Sequence, residues 1–343
     1  MFTEILGRVA GGEDLSIDAM AEAIGIIMRG ECEENQIALL LTALRAKGET
    51  VSEVAGAAQA MRDCMTRIHT ERSPLLDTCG TGGDGSQTFN ISTAAAIVAS
   101  TAGAVVAKHG NRGISSKSGS ADVLRELGVN VEATVPQVER CLDEIGICFC
   151  FAQLFHHSMK HVAKVRRELG VPTIFNMLGP LCNPAGAKIQ LIGVGRPELR
   201  PKLAAALHML GTEHAIVVHG ADGLDEVTIE TDTDVSEIHA GVLSEFTWNP
   251  KQFGLKCSSK ESFKVQGPGE SAEIIRDILA GKPGPAHDIV VLNAAAALWI
   301  VESVGTGKKP DLTVLADRAA QSISSGAAQE KLAHLANISH ASA

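Results

Sequence analysis

Short, continuously apolar segments alternate with amphipathic helical segments along most of this chain, from Leu75 onward. The apolar segments are AVVAKHG, ICFCFA, IQLIGVG and HAIVVHG. Helical patterns lie between them, namely SADVLRELG, PQVERCLDEIG and PELRPKLAAALHMLG. Strands that are apolar on both faces are typical of a parallel sheet that is covered by helices on both sides. We therefore predict an α/β fold with a mostly parallel central sheet flanked by helices.

The N-terminal segment has a different pattern, with apolar residues three and four positions apart and no strand-like run. This spacing is typical of amphipathic helices. We predict a small all-helical domain over residues 1–72, followed by an α/β domain over residues 73–343. The boundary is placed at Arg72-Ser73-Pro74, where proline ends the helical pattern. The last part of the chain is again helical in pattern, and we expect it to cover the sheet.

Composition disfavours several classes of protein. A net charge of −10 argues against nucleic acid or an anionic membrane as a partner, and an aromatic content of 3% without tyrosine argues against a base-stacking surface. The N-terminus lacks a signal-peptide pattern, and we expect no segment long and apolar enough to cross a bilayer. The eight cysteines are scattered through apolar segments, which predicts reduced thiols in a cytoplasmic protein. Cys148 and Cys150 have a metal-like spacing, but without a second pair they indicate core packing.

One long segment of this acidic chain contains no acid. Between Asp84 and Asp122 there is neither Asp nor Glu, although a window of this length should hold roughly four carboxylates at the average frequency. Glycines, hydroxyl residues and the basic side chains of Lys108, Arg112 and Lys117 occupy it instead. Exposed backbone amides and positive charge are what a phosphate pocket requires. The window therefore predicts an anion site.

In and beside this window, the sequence partly matches two nucleotide-binding motifs. Gly80, Gly82 and Gly85 satisfy G-x-G-x-x-G, but the acid expected about 20 positions later would fall inside the acid-free window. The segment KHGNRGISSKSG is not a P-loop, because Ser116 stands where the glycine before Lys117 is needed. Neither kind of nucleotide site is predicted.

The anion site is predicted to have two parts. The turn at residues 80–85 leads into Asn90-Ile91-Ser92-Thr93, where a helix start would direct free N–H groups and its positive dipole end at an anion. An ordinary helix cap explains residues 90–93 equally well, but it does not explain the glycines and the basic residues together. The second part is the segment from Lys108 to Ser120, predicted as a mobile basic loop that closes over phosphates. A solvated surface loop is its alternative.

A pair of adjacent carboxylates, Asp225 and Glu226, follows the apolar segment HAIVVHG. Open α/β sheets bind ligands at the carboxyl ends of their strands. Carboxylate oxygens suit Mg²⁺, which bridges protein acids to substrate phosphates. The pair therefore predicts a magnesium site, with a solvated surface pair as the alternative.

Histidines and arginines cluster in FHHSMKHVAKVRRELG. His157 and His161 are four residues apart, but the H-E-x-x-H pattern of zinc proteases is missing. Arg166 or Arg167 could bind a carboxylate through two parallel hydrogen bonds. The spacing alone does not choose between these two arginines.

Seven motifs, in chain order, resemble the anthranilate phosphoribosyltransferase family. They are GTGGD (80–84), NIST (90–93), KHGNR (108–112), SGSADVL (118–124), VAKVRRELG (162–170), IFNMLGPLCNPA (174–185) and GLDEV (223–227). The resemblance extends from the N-terminal helices to the last helix, and seven ordered motifs are far more specific than any one of them. It implies a site in the cleft between the two domains. It also implies a homodimer formed through the helical domain, joined by helices near residues 160–190.

The resemblance also implies a reaction. Members of this family transfer the phosphoribosyl group of 5-phosphoribosyl 1-pyrophosphate to the amine of anthranilate, in tryptophan biosynthesis, and release pyrophosphate. The same two substrates and Mg²⁺, with two ions per subunit, are expected for this chain. Electrostatic stabilisation of the departing pyrophosphate by Mg²⁺, Lys108 and helix-start amides is expected to be the main catalytic effect.

Residue roles are carried over on the matching motifs. Catalytic roles are implied for Lys108, Arg166, Asp225 and Glu226, and ligation of Mg²⁺ for Ser92, Asp225 and Glu226. Anthranilate would contact Gly80, Asn111 and Arg166, which selects Arg166 over Arg167. The phosphoribosyl donor would contact Gly80, Gly83, Asp84, Thr88, Asn90, Ile91, Ser92, Thr93, Lys108, His109, Gly110, Asn111, Arg112, Gly113, Ile114, Ser115, Ser116 and Ser120.

The chain departs from the family pattern at one place. Where the family often has His-Pro-Ala-Met-Lys, this chain has His-His-Ser-Met-Lys at residues 156–160, and the missing proline predicts a changed helix start near the aromatic substrate.

A pyrimidine nucleoside phosphorylase has a similar fold and performs a related displacement. A non-catalytic relative that binds nucleic acid is the third possibility, disfavoured by the acidic charge and the complete motifs.

Overall fold

The computed structural model describes residues 1–113, 117–305 and 309–341. Three of the expected phosphoribosyl contacts, Ile114, Ser115 and Ser116, lie outside the described residues. The described chain begins with helices α1 to α4 and continues into an α/β part that contains a seven-stranded sheet.

The N-terminal helices pack through apolar stripes at helical spacing. Their bounds are Phe2–Ala10 (α1), Ile17–Met28 (α2), Glu34–Lys47 (α3) and Val51–Cys64 (α4). Ser16 caps α2 by accepting a hydrogen bond from the backbone N–H of Ala19, and Thr50 with Glu53 forms a capping box on α4. The periodic apolar residues are buried, among them Met20, Ile24, Ile27, Ile37, Leu40, Leu41 and Leu44. The predicted all-helical N-terminal region is confirmed.

The central sheet is mostly parallel, as predicted, with strand order β3-β2-β1-β4-β5-β6-β7. Strands β1 to β5 pair in parallel, whereas β6 pairs antiparallel with β5 and with β7. The strand bounds are Leu75–Asp77 (β1), Val105–Gly110 (β2), Ile147–Phe151 (β3), Ile189–Gly193 (β4), His214–Gly220 (β5), Thr233–His239 (β6) and Val242–Trp248 (β7). The carboxyl ends of the parallel strands therefore meet at one edge of the sheet, where ligands bind in such folds.

Three of these strands, β1, β6 and β7, were not predicted. Strand β1 has only three residues, which is too short for a pattern. Strand β6 buries polar side chains, including Glu237, so it lacks an apolar run. Strand β7 is an edge strand whose first residues, Val242 and Leu243, are exposed. Neither alternation nor a continuous apolar run marks such strands.

Helices cover both faces of the sheet. Their bounds are Ile91–Thr101 (α5), Ser120–Glu126 (α6), Val135–Ile145 (α7), Ala152–Phe155 (α8), Lys160–Leu169 (α9), Phe175–Leu178 (α10), Leu199–Met209 (α11), Pro268–Leu279 (α12), Pro285–Ser303 (α13), Leu312–Ser324 (α14) and Ala327–His340 (α15). Leu191 and Val218 join one buried core with α5 and α13, whereas their neighbours Ile192 and Val217 join a second core. The second core also contains α1 to α4 and residues of α9, α10 and α11, so the N-terminal helices and the later helical segment share one interior.

Helix α13 corrects one expectation from the sequence. Its 19 residues are long and apolar enough, by length and composition, to cross a membrane, although no segment of that kind was expected. In the fold, 72% of its 18-residue apolar window is buried inside the protein. The helix packs against α5, α14 and β4. Its composition is therefore accounted for by a place at the centre of the core.

Candidate active site

The glycine-rich segment after β1 forms a tight loop. Three of its glycines have positive φ angles, which glycine adopts without strain: +65° at Gly82, +82° at Gly83 and +71° at Gly85. Gly80 lies against β4, because a Cβ added to it would be 3.0 Å from the carbonyl oxygen of Gly193. In the part of the chain that the structure describes, no protein acceptor is hydrogen-bonded to the amides of Gly80, Gly82, Gly83 and Gly85. The loop therefore offers several backbone donors to an anion.

The start of α5 is less available to an anion than predicted. The amide of Ile91 donates to the carbonyl of Phe89 (2.8 Å), and the amide of Thr93 donates to the carbonyl of Asn90 (3.2 Å). The amide of Ser92 donates to Oε1 of Glu226 (3.0 Å). The expectation of free helix-start N–H groups is therefore wrong for residues 91–93, because a protein carboxylate already occupies the positive end of the helix. The loop amides are the donors that remain.

Asn90 connects three segments instead of capping the helix with its side chain. Its Oδ1 accepts hydrogen bonds from the hydroxyls of Ser118 (2.6 Å) and Ser271 (2.8 Å), and its Nδ2 donates to the carbonyl of Ser118 (3.1 Å). Thr88, two residues earlier, forms an isolated bridge with Lys264. Both residues hold the loop in place against α12 and the strand-like segment before it.

Lys108 lies in β2, and its side chain is only 4% exposed. Its Nζ donates to the carbonyl oxygen (2.8 Å) and hydroxyl (3.1 Å) of Thr78 and to Oγ of Ser92 (3.3 Å). Burial lowers the pKa of this ammonium, while neighbouring acids, among them Glu226, oppose that shift. The prediction that Lys108 begins a mobile loop is wrong, because the chain through Gly110 belongs to a strand whose middle residues are buried. Its charge lies at the junction of the glycine loop and α5.

His109 is surrounded by protein partners. Its Nδ1 lies 3.0 Å from the carbonyl oxygen of Gly179, and its Nε2 lies 3.2 Å from Nε2 of His156. Burial lowers the pKa of His109 to about 3 and that of His156 to about 4, so both rings are neutral at pH 7. The pair joins the end of β2 to the segments before α9 and after α10. The amide of His109 is also occupied, because it donates to Oδ1 of Asp77 (3.0 Å), and an expected contact with the phosphoribosyl donor stays a prediction.

Three carboxylates meet beside the glycine loop: those of Asp84, Asp225 and Glu226. Burial is the main cause that raises the pKa of Asp225 well above its ordinary value, and the charges of Asp84 and Glu226 raise it further. Burial also raises the pKa of Glu226 to about 7, although nearby Lys108 opposes this. Oδ2 of Asp84 has no hydrogen-bond partner among the described residues. Mutually repelling oxygen ligands of this kind fit a divalent cation.

The carboxylates of Asp84 and Asp225 lie close enough to interact directly, but the three acids do not converge on one point. Within residues 1–113, 117–305 and 309–341, two groups of His, Cys, Asp or Glu have ligand atoms that all lie within 4.8 Å of one another: Asp77 with Cys79 and His109, and His214 with Glu237 and His239. The three acids beside the loop do not form such a group. Their geometry therefore fits cations that are held by one or two carboxylates and completed by ligand oxygens.

Arg112 is held at the surface, on the outer side of the basic segment. Its Nη2 lies 3.1 Å from Oε1 of Glu132, and its guanidinium carbon lies 5.6 Å from the ring centroid of Phe151. Before it, Gly110 allows a close approach, because a Cβ there would be 2.1 Å from Oγ of Ser120. The described part of the segment thus shows Arg112 paired with an acid of the protein.

The two described ends of the basic segment are connected by Asp122. Its Oδ2 accepts hydrogen bonds from the amides of Gly113 (2.9 Å) and Gly119 (3.1 Å). The carbonyl oxygen of Asn111 accepts a hydrogen bond from the amide of Ala121 (3.2 Å). The segment from residue 111 to residue 120 therefore leaves β2 and returns to α6 at nearly the same point.

Arg166 and Arg167 differ in their surroundings. Arg166 is half-buried on α9, with its guanidinium carbon 5.6 Å from the ring centroid of Phe175 and its Nη2 3.5 Å from Oδ1 of Asn176, whereas Arg167 is exposed. Burial lowers the pKa of Arg166. No carboxylate of the described chain forms an ion pair with it. A partly desolvated guanidinium without an acid is suited to bind the carboxylate of a ligand.

Two further residues of the site were missed in the sequence. Asp77 is fully buried at the end of β1, where Oδ1 accepts the amide hydrogen of His109 (3.0 Å) and burial raises the pKa of the carboxyl to about 6. Gly193 ends β4, and a Cβ there would lie only 1.6 Å from the carbonyl oxygen of Asp225. The sequence did contain a signal for each residue: Asp77 is an acid at the end of an apolar run, and Gly193 is a glycine within a strand.

Comparisons with known proteins agree with this geometry. Residues 72–329 match the family described as "Glycosyl transferase family, a/b domain", and residues 3–65 match "Glycosyl transferase family, helical bundle domain". The chain is 50% identical to the anthranilate phosphoribosyltransferase of Rhodopirellula baltica over 98% of its own length and 96% of that protein. It is 49% identical to that of Symbiobacterium thermophilum, over 98% of this chain and 97% of the relative.

Solved structures give the same result. The anthranilate phosphoribosyltransferase of Thermus thermophilus superposes with a TM-score of 0.91 at 40% identity, covering 98% of this chain and 99% of the other. That of Saccharomyces cerevisiae, in complex with phosphoribosyl pyrophosphate and Mg, superposes with a TM-score of 0.89 at 30% identity, covering 98% and 97%. The chain therefore belongs to the anthranilate phosphoribosyltransferase family.

Proposed function

We propose that this protein transfers the phosphoribosyl group of 5-phosphoribosyl 1-pyrophosphate to the amine of anthranilate, releasing pyrophosphate, in tryptophan biosynthesis. The observation that supports this best is the glycine loop, which lies beside Asp84, Asp225 and Glu226 and has several amides without an acceptor in the described chain. Amides bind phosphate oxygens and the acids fit a divalent cation, so the site suits a pyrophosphate that leaves as a metal complex. The family of the chain supports the same reaction.

The residues contribute mainly by holding charges and orienting substrates. The amides of the glycine loop bind the pyrophosphate, and Arg166 binds the carboxylate of anthranilate and so directs its amine towards the anomeric carbon. Buried Lys108 holds Ser92 and counters the charge of Glu226. A strong base is not needed, because an aromatic amine attacks in its neutral form and loses its proton readily afterwards. Bound Mg²⁺ supplies the positive charge that stabilises the departing pyrophosphate.

Magnesium is supported by the yeast relative, whose structure contains Mg together with phosphoribosyl pyrophosphate. Ser92, Asp225 and Glu226 are the proposed ligands, and the structure adds Asp84 as a fourth candidate with an unpaired carboxylate oxygen. Two ions per subunit are proposed, since the ligand atoms of the three acids do not all lie close to one another.

Anthranilate fluorescence provides the direct test. We expect the fluorescence of anthranilate to decay when the protein and phosphoribosyl pyrophosphate are added with Mg²⁺, and to stay constant when Mg²⁺ is removed with a chelator. Ribose 1-phosphate formation from a pyrimidine nucleoside and phosphate serves as the control for a nucleoside phosphorylase. A salt-sensitive shift of DNA on a gel, without anthranilate consumption, would favour the nucleic-acid-binding alternative.

The pKa of Glu226, raised to about 7, makes magnesium binding depend on pH. We expect Mg²⁺ affinity in the presence of pyrophosphate to rise from pH 6 to pH 8 by about tenfold, because the carboxyl must lose its proton before it binds the cation. Calorimetry in buffers of different ionisation enthalpy measures this affinity and the proton release. An affinity that stays constant, with no proton released, would contradict the assignment of Glu226.

The same pKa affects stability without metal. A carboxyl whose pKa is raised by folding stabilises the folded state while it is protonated, and that stability is lost as pH rises from its ordinary 4.5 through about 7. Bound Mg²⁺ is expected to restore it, since the cation binds only the folded site.

The domain division at residue 72, a homodimer and a cytoplasmic location remain proposals. The shared core of α1 to α4 with α9 and α10 supports a helical unit that includes the later helices. All eight cysteines are unpaired, as in a reducing compartment.

A further inference from the structure

Asn293 is a polar residue in the middle of the apolar helix α13, and its side chain is fully buried. Its Oδ1 accepts the amide hydrogen of Val227 (3.0 Å), and its Nδ2 donates to the carbonyl oxygen of the same residue (2.9 Å). The second Nδ2 hydrogen is donated to the carbonyl oxygen of Ile289, one turn earlier on α13 (2.9 Å). The side chain thus binds both polar groups of one backbone residue and is itself anchored to the helix.

The residue that Asn293 holds is the one that directly follows Glu226. Val227 is 1% exposed, so its N–H and C=O cannot turn to water if the asparagine is lost. Leaving such buried groups unpaired is unfavourable, and the chain can avoid this by shifting the segment. The amide of Asn293 therefore fixes the backbone position from which the Glu226 carboxylate extends.

The acidic segment is also in contact with β4. The carbonyl of Asp225 packs so closely on Gly193 that a Cβ there would lie 1.6 Å from its oxygen. This backbone is thus in contact with a glycine at Asp225 and bonded to an asparagine at Val227. Glu226, between them, receives the amide hydrogen of Ser92 at 3.0 Å.

We infer that Asn293 is a positioning residue for the magnesium-binding acids, acting through the backbone of Val227 to set the place of Glu226. This inference rests on the proposed function. A residue that only stabilised the core would lower the melting temperature without changing cation affinity. A positioning residue changes cation affinity at temperatures where the protein stays folded.

The test compares Asn293→Ala, which removes all three hydrogen bonds, with Asn293→Asp, which keeps an acceptor for the amide of Val227. We expect Mg²⁺ binding in the presence of pyrophosphate, measured by calorimetry, to weaken about 10- to 100-fold in Asn293→Ala and less in Asn293→Asp. The Mg²⁺ concentration for half-maximal activity should rise in the same order, while KM for anthranilate changes less than about twofold.

The matched control is Asn130→Ala. Asn130 also bonds backbone through its side-chain amide, donating to the carbonyl of Ser339 (3.1 Å), but it lies at the contact with α15. The Asn130→Ala variant should have a lower melting temperature than the wild type and unchanged Mg²⁺ binding. Wild-type cation affinity in both folded Asn293 variants would overturn the inference, and so would failure of both to fold. Inactive wild-type protein would instead count against the proposed function, since calorimetry reports on Asn293 independently.

Discussion

Replacing Asp225 with Asn and Glu226 with Gln together is expected to lower turnover by about 100- to 1,000-fold, since stabilisation of the leaving group is the main catalytic effect. The amides keep the size of the carboxylates but cannot neutralise a cation. The loss should appear in kcat, measured from anthranilate fluorescence at saturating substrates over a series of Mg²⁺ concentrations. The dependence on Mg²⁺ should become weak.

The double variant should also be more stable than the wild type without metal at neutral pH. Burial and repulsion from neighbouring carboxylates, Asp84 among them, raise the pKa values of these two carboxyls, so removing their charge removes an unfavourable interaction. The matched control changes two exposed acids in the same way, Asp234→Asn with Glu213→Gln, and should behave as the wild type. Normal turnover with an unchanged Mg²⁺ dependence in the site variant would end the assignment of the acids.

Replacing Arg166 with Ala is expected to reduce kcat/KM for anthranilate by about 10- to 100-fold, because a hydrogen bond to a charged group contributes about 1.5–3 kcal/mol. KM for phosphoribosyl pyrophosphate should change less than about twofold, since the phosphates bind at the glycine loop. Steady-state kinetics with each substrate varied in turn measures both effects.

The neighbouring residue offers a matched control. Arg167 is on the same helix and is exposed, so Arg167→Ala removes the same charge from the same region without removing the half-buried guanidinium. It should leave both substrates unaffected. Equal losses for the two substrates in Arg166→Ala, or similar losses in the two variants, would contradict a role in anthranilate binding.

The fold was largely predictable where local pattern and burial agree. Strands such as β4 and β5 contact cores on both faces, so most of their positions are apolar, and the N-terminal helices each face one core, so their apolar residues repeat at helical spacing. Strands β6 and β7 were missed because β6 buries polar side chains and β7 is an exposed edge strand. In β6, Glu237 is buried but paired with His214 and Lys309, a compensation that no local pattern reveals.

The candidate site was likewise predictable only in part. The glycines and hydroxyl residues of the acid-free window predicted an anionic ligand. The adjacent acids Asp225 and Glu226 predicted a divalent cation beside it. The donors were assigned to the wrong atoms, however. The start of α5 is bonded to Glu226, which lies 134 residues later in the chain, and this contact leaves the loop amides to bind an anion.

Lys108 illustrates why the sequence could not decide this. A lysine beside glycines predicted a mobile cationic loop, but β2 continues through this residue and buries its ammonium under Thr78 and Ser92. Whether a residue of β2 is buried depends on which strands lie on either side of it, and the order of the strands in the sheet sets these neighbours. A sequence motif contains no information about that order.

The sequence by itself determined the α/β class, the helical N-terminal region and an anion site served by acids, because periodicity, glycine content and charge are local properties. Only the tertiary structure decided which groups are free to act. It buried Lys108, paired the first turn of α5 with Glu226, left Arg166 without an acidic partner among the described residues and bonded Asn293 to the residue after Glu226. These outcomes depend on contacts between distant segments, where desolvation and hydrogen bonding fix the charge and position of each group.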